Sequence, residues 1–156
     1  MKISHLNAHY QEMSNSHDLE GTGEGEVILM KNKDTADDED HEDWLTLFWL
    51  QKRFRFHRVF VKRENMRHTW ITIEAGPLQA ARFKFSIKIE NGKTGQSVTA
   101  SGAVSPIDWT VEEVLRSGTY LTMTSATVDK LKEENPDKEG DNCEWMLSFD
   151  YSVTFA

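Results

Sequence analysis

In the stretch RFKFSIKIE, Phe83, Phe85, Ile87 and Ile89 alternate with Arg82, Lys84, Ser86, Lys88 and Glu90. Successive side chains of a strand point to opposite faces, so this segment can bury its apolar set only as a strand with one face on a core and the other in water. A helix would scatter the same residues around its circumference. The closing stretch EWMLSFDYSVTF repeats the pattern at greater length, placing Trp145, Leu147, Phe149, Tyr151, Val153 and Phe155 on one face. Shorter strand-like runs occur in EVILM (26–30), DWLTLFWL (43–50), FRFHRVFVKR (54–63), HTWITIEA (68–75), GQSVTASGAV (95–104) and YLTMT (120–124).

The connections are legible in the same way. Asn-Gly in ENGKTGQ (90–96) is a strong hairpin signal, and AGPL (75–78) reads as a second turn. Thr110 and Glu113 form a Thr-x-x-Glu capping box ahead of EVLRSG, and Gly118 follows as a stop, which predicts a short helix over 110–117. Ser125 is placed to cap a second short helix in ATVDKLKEE, and PDKEGDN (136–142) reads as a polar loop. The expected fold class is all-β: an antiparallel sandwich of about eight strands with one or two short helices.

Composition bounds the partners. A chain of 156 residues suits one domain and buries roughly 70% of its unfolded surface, enough for a real core. It has 26 acidic against 18 basic residues, a net charge of −8, so nucleic acid is not an expected partner. The exception is QKRFRFHRVFVKR (51–63), where basic and aromatic residues interleave. A base-stacking strand has that composition, but the period of two favours an amphipathic strand with its basic side in water. No apolar run approaches the ~20 residues of a membrane span, and the N-terminus lacks the apolar stretch of a secretory signal, so no membrane partner is expected. The single cysteine, Cys143, excludes an intramolecular disulfide and, with it, a Cys-rich zinc module inside this sequence. A reducing location, cytoplasmic or also nuclear, is the expectation.

The residues point to binding rather than bond-making. The sequence carries no phosphate-binding glycine loop, no GxSxG and no HExxH. His57 and His68 lie in or near strands and read as satisfied or exposed histidines, not catalytic ones. DTADDEDHED (34–43) packs seven carboxylates into ten residues but lacks the ladder, central glycine and final glutamate of a calcium loop, so it reads as solvated. EGTGEGE (20–26) reads as a glycine-rich hinge, dividing a polar segment, 1–24, from a sandwich domain, 25–156. His5 and His9 have the spacing of a zinc-finger histidine pair, yet two imidazoles alone make a poor zinc site.

An ordered set of landmarks runs along the sequence. Gly25, Glu26 and Ile28 open one strand, and Asp43-Trp44 opens the next. Phe56-His57 follow, then Gly76 and Ala81, then a strand ending in Asn91-Gly92, the capped helix, SGTYLTMT and the final SVTF. Together they resemble the substrate-binding domain of the seven in absentia family of ubiquitin ligases, over residues 19–156. The resemblance implies a TRAF-like sandwich that grips a short degron peptide beside a sheet edge, with Trp44 lining the groove and Asp43 beside it. Gly23, Glu42, Thr46 and Ser152 stand at further groove positions, where the family carries other residues. With the acidic run before Trp44, they imply a peptide more basic than, or shaped differently from, the family's Pro-x-Ala-x-Val-x-Pro. The resemblance further implies homodimers, or heterodimers with related ligases. A RING and zinc fingers would lie upstream, holding the only zinc and recruiting the ubiquitin-conjugating enzyme, with His5 and His9 as a finger's tail. The chain is then the non-catalytic part of a ligase or a shortened relative of one. The alternative is a RING-less TRAF or MATH-like adaptor, or an interfering paralogue, with no ligase role.

Overall fold

Alternation becomes two stacked sheets. The computed structural model describes residues 23–32, 40–134 and 143–156. His5 and His9, the acidic run up to residue 39 and the loop 136–142 lie outside the described residues. In chain order the elements are β1 (Glu24–Asn32), β2 (His41–Trp49), β3 (Lys52–Val61), β4 (Met66–Ile73), α1 (Pro77–Ala80), β5 (Phe83–Glu90), β6 (Ser97–Ala103), β7 (Ser105–Pro106), α2 (Val111–Ser117), β8 (Leu121–Thr124), α3 (Ser125–Leu131), β9 (Glu133–Glu134) and β10 (Cys143–Phe155). One sheet runs β1-β10-β5-β6, with β9 also on β10; the other runs β2-β3-β4-β7, with β8 also on β4. Every pairing is antiparallel except that of β4 with β7.

The protein is therefore an all-β sandwich, with ten strands rather than about eight. The surplus comes from the two-residue strands β7 and β9, too short to leave a periodic signature. The odd positions of β5 and β10 face inward as their alternation predicts: Phe83, Phe85, Ile87, Ile89, Leu147, Phe149, Tyr151 and Val153 are buried. They meet Leu45, Leu47, Trp49, Phe54, Phe56, Ile71 and Ile73 of the facing sheet. Phe155 departs from the pattern and stays 61% exposed at the end of β10.

Local signals held with small shifts. Thr110 caps α2 by accepting from the Glu113 amide at 3.2 Å, and Gly118 ends it in the left-handed region. The cap of α3 is Thr124, not Ser125: its hydroxyl accepts from the Thr127 amide at 3.2 Å, so Ser125 is the first helical residue. The hinge reading of 20–26 fails at its end. Glu24, Gly25 and Glu26 are in β1, and Gly25 is needed because a Cβ there would run into the Tyr151 hydroxyl. Asn-Gly does not form a two-residue turn either. Asn91 is buried, its Oδ1 accepting from the Lys93 and Thr94 amides while its Nδ2 donates to the Lys130 and Lys132 carbonyls. Asn91 thus binds the β5–β6 loop to the end of α3, and Gly95, at φ +76°, makes the reversal.

The tight hairpin lies elsewhere. Trp49 pairs with Lys52, leaving Leu50 and Gln51 as a two-residue turn with φ of 52° and 58°. Both central residues are left-handed, the pattern of a type I′ turn, which favours Asn-Gly and strains a bulky residue. Replacing Leu50→Asn together with Gln51→Gly is expected to raise stability by about 1 kcal/mol, read as a higher urea midpoint at unchanged slope. A lower midpoint would show that Leu50 contributes more through contacts than its backbone costs.

Candidate functional site

β2 ends its sheet: among the described residues it pairs only with β3. Its odd residues Leu45, Leu47 and Trp49 enter the core, which turns Glu42, Trp44, Thr46 and Phe48 to the outer face. Register sets Trp44 opposite His57, and His57 opposite Trp70, so a Trp-His-Trp row crosses three strands. Thr46 lies opposite Arg55, and Arg55 opposite Thr72. Asp40 anchors the approach to β2, its Oδ1 accepting from the Lys62 amide at 2.7 Å.

The row is braced by charge. The Arg55 guanidinium lies 5.3 Å from the Trp44 ring centroid and that of Arg53 lies 5.4 Å from Phe48. Glu74 holds both arginines, at 3.3 Å from Arg53 and 3.9 Å from Arg55. A cation over an aromatic face gains from the ring quadrupole while the carboxylate fixes its position. Trp44 therefore has a partner that limits its rotation.

Behind this edge the face closes. His57 stacks on Trp70 at 5.1 Å with an interplanar angle of 7°, and its Nε2 lies 2.8 Å from Thr72 Oγ1. Its buried Nδ1 has no partner among the described residues. A neutral ring with its proton on Nε2 donates to Thr72 and leaves only a lone pair at Nδ1, the less costly way to be unsatisfied. Burial, and then the nearby Arg55 charge, lower the His57 pKa to about 3. Thr72 is 2% exposed, so this hydroxyl–imidazole pair is closed to a substrate. His68 is also buried; its Nδ1 lies 2.9 Å from Thr122 Oγ1 and its ring meets Tyr120 edge-on. Burial lowers its pKa, against the opposing pull of Glu64.

These burials correct, at His57 and Arg58, the reading of residues 51–63 as a strand with its basic side in water, while Arg53, Lys62 and Arg63 are exposed as that reading expects. β3 is an inner strand of its sheet; His57 and Arg58 are 8% and 9% exposed, and Arg53 is the side chain that reaches solvent most.

The six residues singled out in the sequence occupy two places. Glu42, Asp43, Trp44 and Thr46 follow one another along β2, Asp43 lying in register with Arg58. Gly23 precedes β1 at φ +65°; its carbonyl accepts from the Val153 amide, and a Cβ would collide with the Val153 carbonyl and press on the Trp49 ring. It thus adjoins the far end of β2, not Trp44. Ser152 lies in the other sheet, between Glu24 of β1 and Ser86 of β5, in a shallow depression also lined by Glu26, Lys88 and Asp150. The residues that sequence reasoning missed are Arg55, Glu74 and Trp70. Only strand register brings them beside Trp44 and His57, and the Leu-Gln turn that sets this register carries no recognisable signal. Among the described residues no group of three or more His, Cys, Asp or Glu is placed to hold a metal, and no helix is long and apolar enough to cross a membrane.

No protein-family model matches the sequence, and a search of curated proteins gave no match.

His57 generates a pH dependence whose sign is fixed. Its folded pKa lies below its unfolded value near 6.5, so the folded state binds fewer protons. The stability is fully present above pH 6.5 and is lost as pH falls towards 3. Between pH 7 and 5.5 this one group should remove about 1 kcal/mol, and His57→Gln should flatten that part of the urea-midpoint profile. An unchanged profile in the variant would show that His57 does not titrate this way.

Proposed function

We propose that this chain is a substrate-recognition domain of the seven in absentia type, on a TRAF-like sandwich, and that it holds a short extended peptide as an added strand along β2, on the side that pairs with no strand among the described residues. The observation that carries the reading is an edge strand with outward Glu42, Trp44 and Thr46, whose tryptophan is braced by Arg55. Strand addition supplies affinity through backbone hydrogen bonds and specificity through alternate side chains, and these three outward residues are where a peptide's side chains would be read. In this reading the domain acts in ubiquitin-dependent degradation. It presents the bound target, as a homodimer or with a related ligase, to a conjugating enzyme recruited by a zinc-binding RING on the same ligase.

A second reading has support of its own. Gly23 and Ser152 do not join the β2 row, so the family's groove positions are not gathered along this edge. That favours an adaptor that binds a different peptide without a ligase role.

A labelled peptide of the Pro-x-Ala-x-Val-x-Pro type with lysines at its variable positions, titrated by fluorescence polarisation, should bind saturably and more tightly than the unmodified sequence, and Trp44→Ala should weaken it roughly tenfold or more while leaving the circular dichroism unchanged. Absence of saturable binding by the folded chain would overturn the ligase reading and leave the adaptor. Equal binding by the variant would move the site away from β2.

A further inference from the structure

The sheet edges are not guarded alike. An edge strand offers unpaired amides and carbonyls to any other chain, and proteins blunt such edges with charge, proline, bulges or shortness. β1 carries Glu24 and Glu26 and shifts register between Lys31 and Asn32. β2, the edge assigned to the peptide, carries Glu42. β7 has two residues, one of them Pro106, and β8 has four. β6 has none of these devices. Its seven residues read SVTASGA, and the sequence carries no charged residue from Gly95 to Ile107. Among the described residues β6 pairs only with β5, in unbroken register from Ser97 to Ala103.

The ladder fixes which groups face the open side. The Val104 amide donates to the Phe83 carbonyl, and the Asn91 amide donates to the Gln96 carbonyl. Antiparallel pairs alternate between bonded and non-bonded, so Val98, Ala100 and Gly102 also bond to β5. The amides and carbonyls of Ser97, Thr99, Ser101 and Ala103 then point away from β5. The side chains of these four residues are exposed, while Val98, Ala100 and Gly102 are half-buried. An uncharged edge of small side chains gives a foreign strand little to select, but it matches its own copy. Turned about a two-fold axis at Ala100, a second β6 overlaps the whole strand. Ser97 then faces Ala103 and Thr99 faces Ser101 across the axis, and all four present their bonding groups to each other. Val98 falls opposite Gly102, and Ala100 opposite itself, so no side chains clash. No charge on the strand meets its own copy, although the chain carries −8. Pairing β6 with β1 of another copy would leave edges open and build a filament; the two-fold pairing closes.

We propose that β6 is the contact between two copies of this chain, joining their β1-β10-β5-β6 sheets into one continuous sheet across a two-fold axis. This rests on the homodimer of the proposed function, to which it gives a surface, and makes no use of the peptide site at β2. The test is sedimentation velocity of the full chain over a range of concentrations. A single edge strand is small beside a standard interface, so the wild type should dimerise with a dissociation constant on the order of 10–100 µM. Thr99→Lys with Ser101→Lys should be monomeric there, and so should Thr99→Glu with Ser101→Glu, because like charges then lie directly opposite. Both positions are exposed, so the substitutions leave the core untouched. An equal mixture of the two variants should dimerise at least as tightly as the wild type, which two misfolded variants could not do. Either variant should give the wild-type result in the peptide titration, so failure at β6 and failure at β2 are told apart. A wild type that stays monomeric well above that range overturns the proposal. So does a dimer that both charged variants keep, or a mixture that fails to associate.

Discussion

The two sheets are joined through Phe56. From an inner strand of one sheet it reaches Phe149 at 5.5 Å and Tyr151 at 6.0 Å on β10, an inner strand of the other. A second aromatic group closes the lower end, with Phe54 on Phe83 at 5.3 Å and Trp49 against Phe83 and Phe155. Tilted and edge-on rings gain beyond their buried area, and they fix β3 relative to β10. Everything at the candidate site follows from that placement. With Phe54 and Phe56 committed inward, Arg55 and His57 must face outward, and β2 in its register must turn out Thr46 and Trp44 opposite them.

Polar groups are stretched to fit this packing. Among the described residues, the Tyr151 hydroxyl, Trp49 Nε1 and His57 Nδ1 are buried without partners. Burial alone pushes the Tyr151 pKa above its ordinary value, while at His57 burial and Arg55 act together. Each unsatisfied atom costs on the order of 1–3 kcal/mol, which the aromatic contacts of the same side chains offset. Gly25 shows the same tension, since it leaves the room that the Tyr151 ring takes beneath β1.

Much of the fold was legible because period-two alternation is strong in β5 and β10 and because Thr110, Glu113 and Gly118 fix a helix by local chemistry. The two-residue strands were not legible, having no periodicity. Nor was the true hairpin: Leu50-Gln51 is strained and carries no turn signal, whereas Asn91-Gly92 has the signal but spends its asparagine on α3. The site was legible only along one strand. Trp44 and its neighbours are contiguous, but their bracing by Arg55 and Glu74 depends on pairings across β3 and β4. The basic face assigned to β3 failed at two residues: alternation puts Arg58 on the inward face with Phe56, and the outward His57 is covered where it stacks on Trp70.

The central claim is that β2 is the strand to which a peptide adds. Amide hydrogen exchange, followed residue by residue with and without saturating peptide, tests it most directly. The account requires new protection at alternate amides of His41–Trp49, those facing away from β3, with β6 and β1 unchanged. Protection confined to β6 or β1, or spread evenly over the sandwich with β2 unaffected, would contradict it.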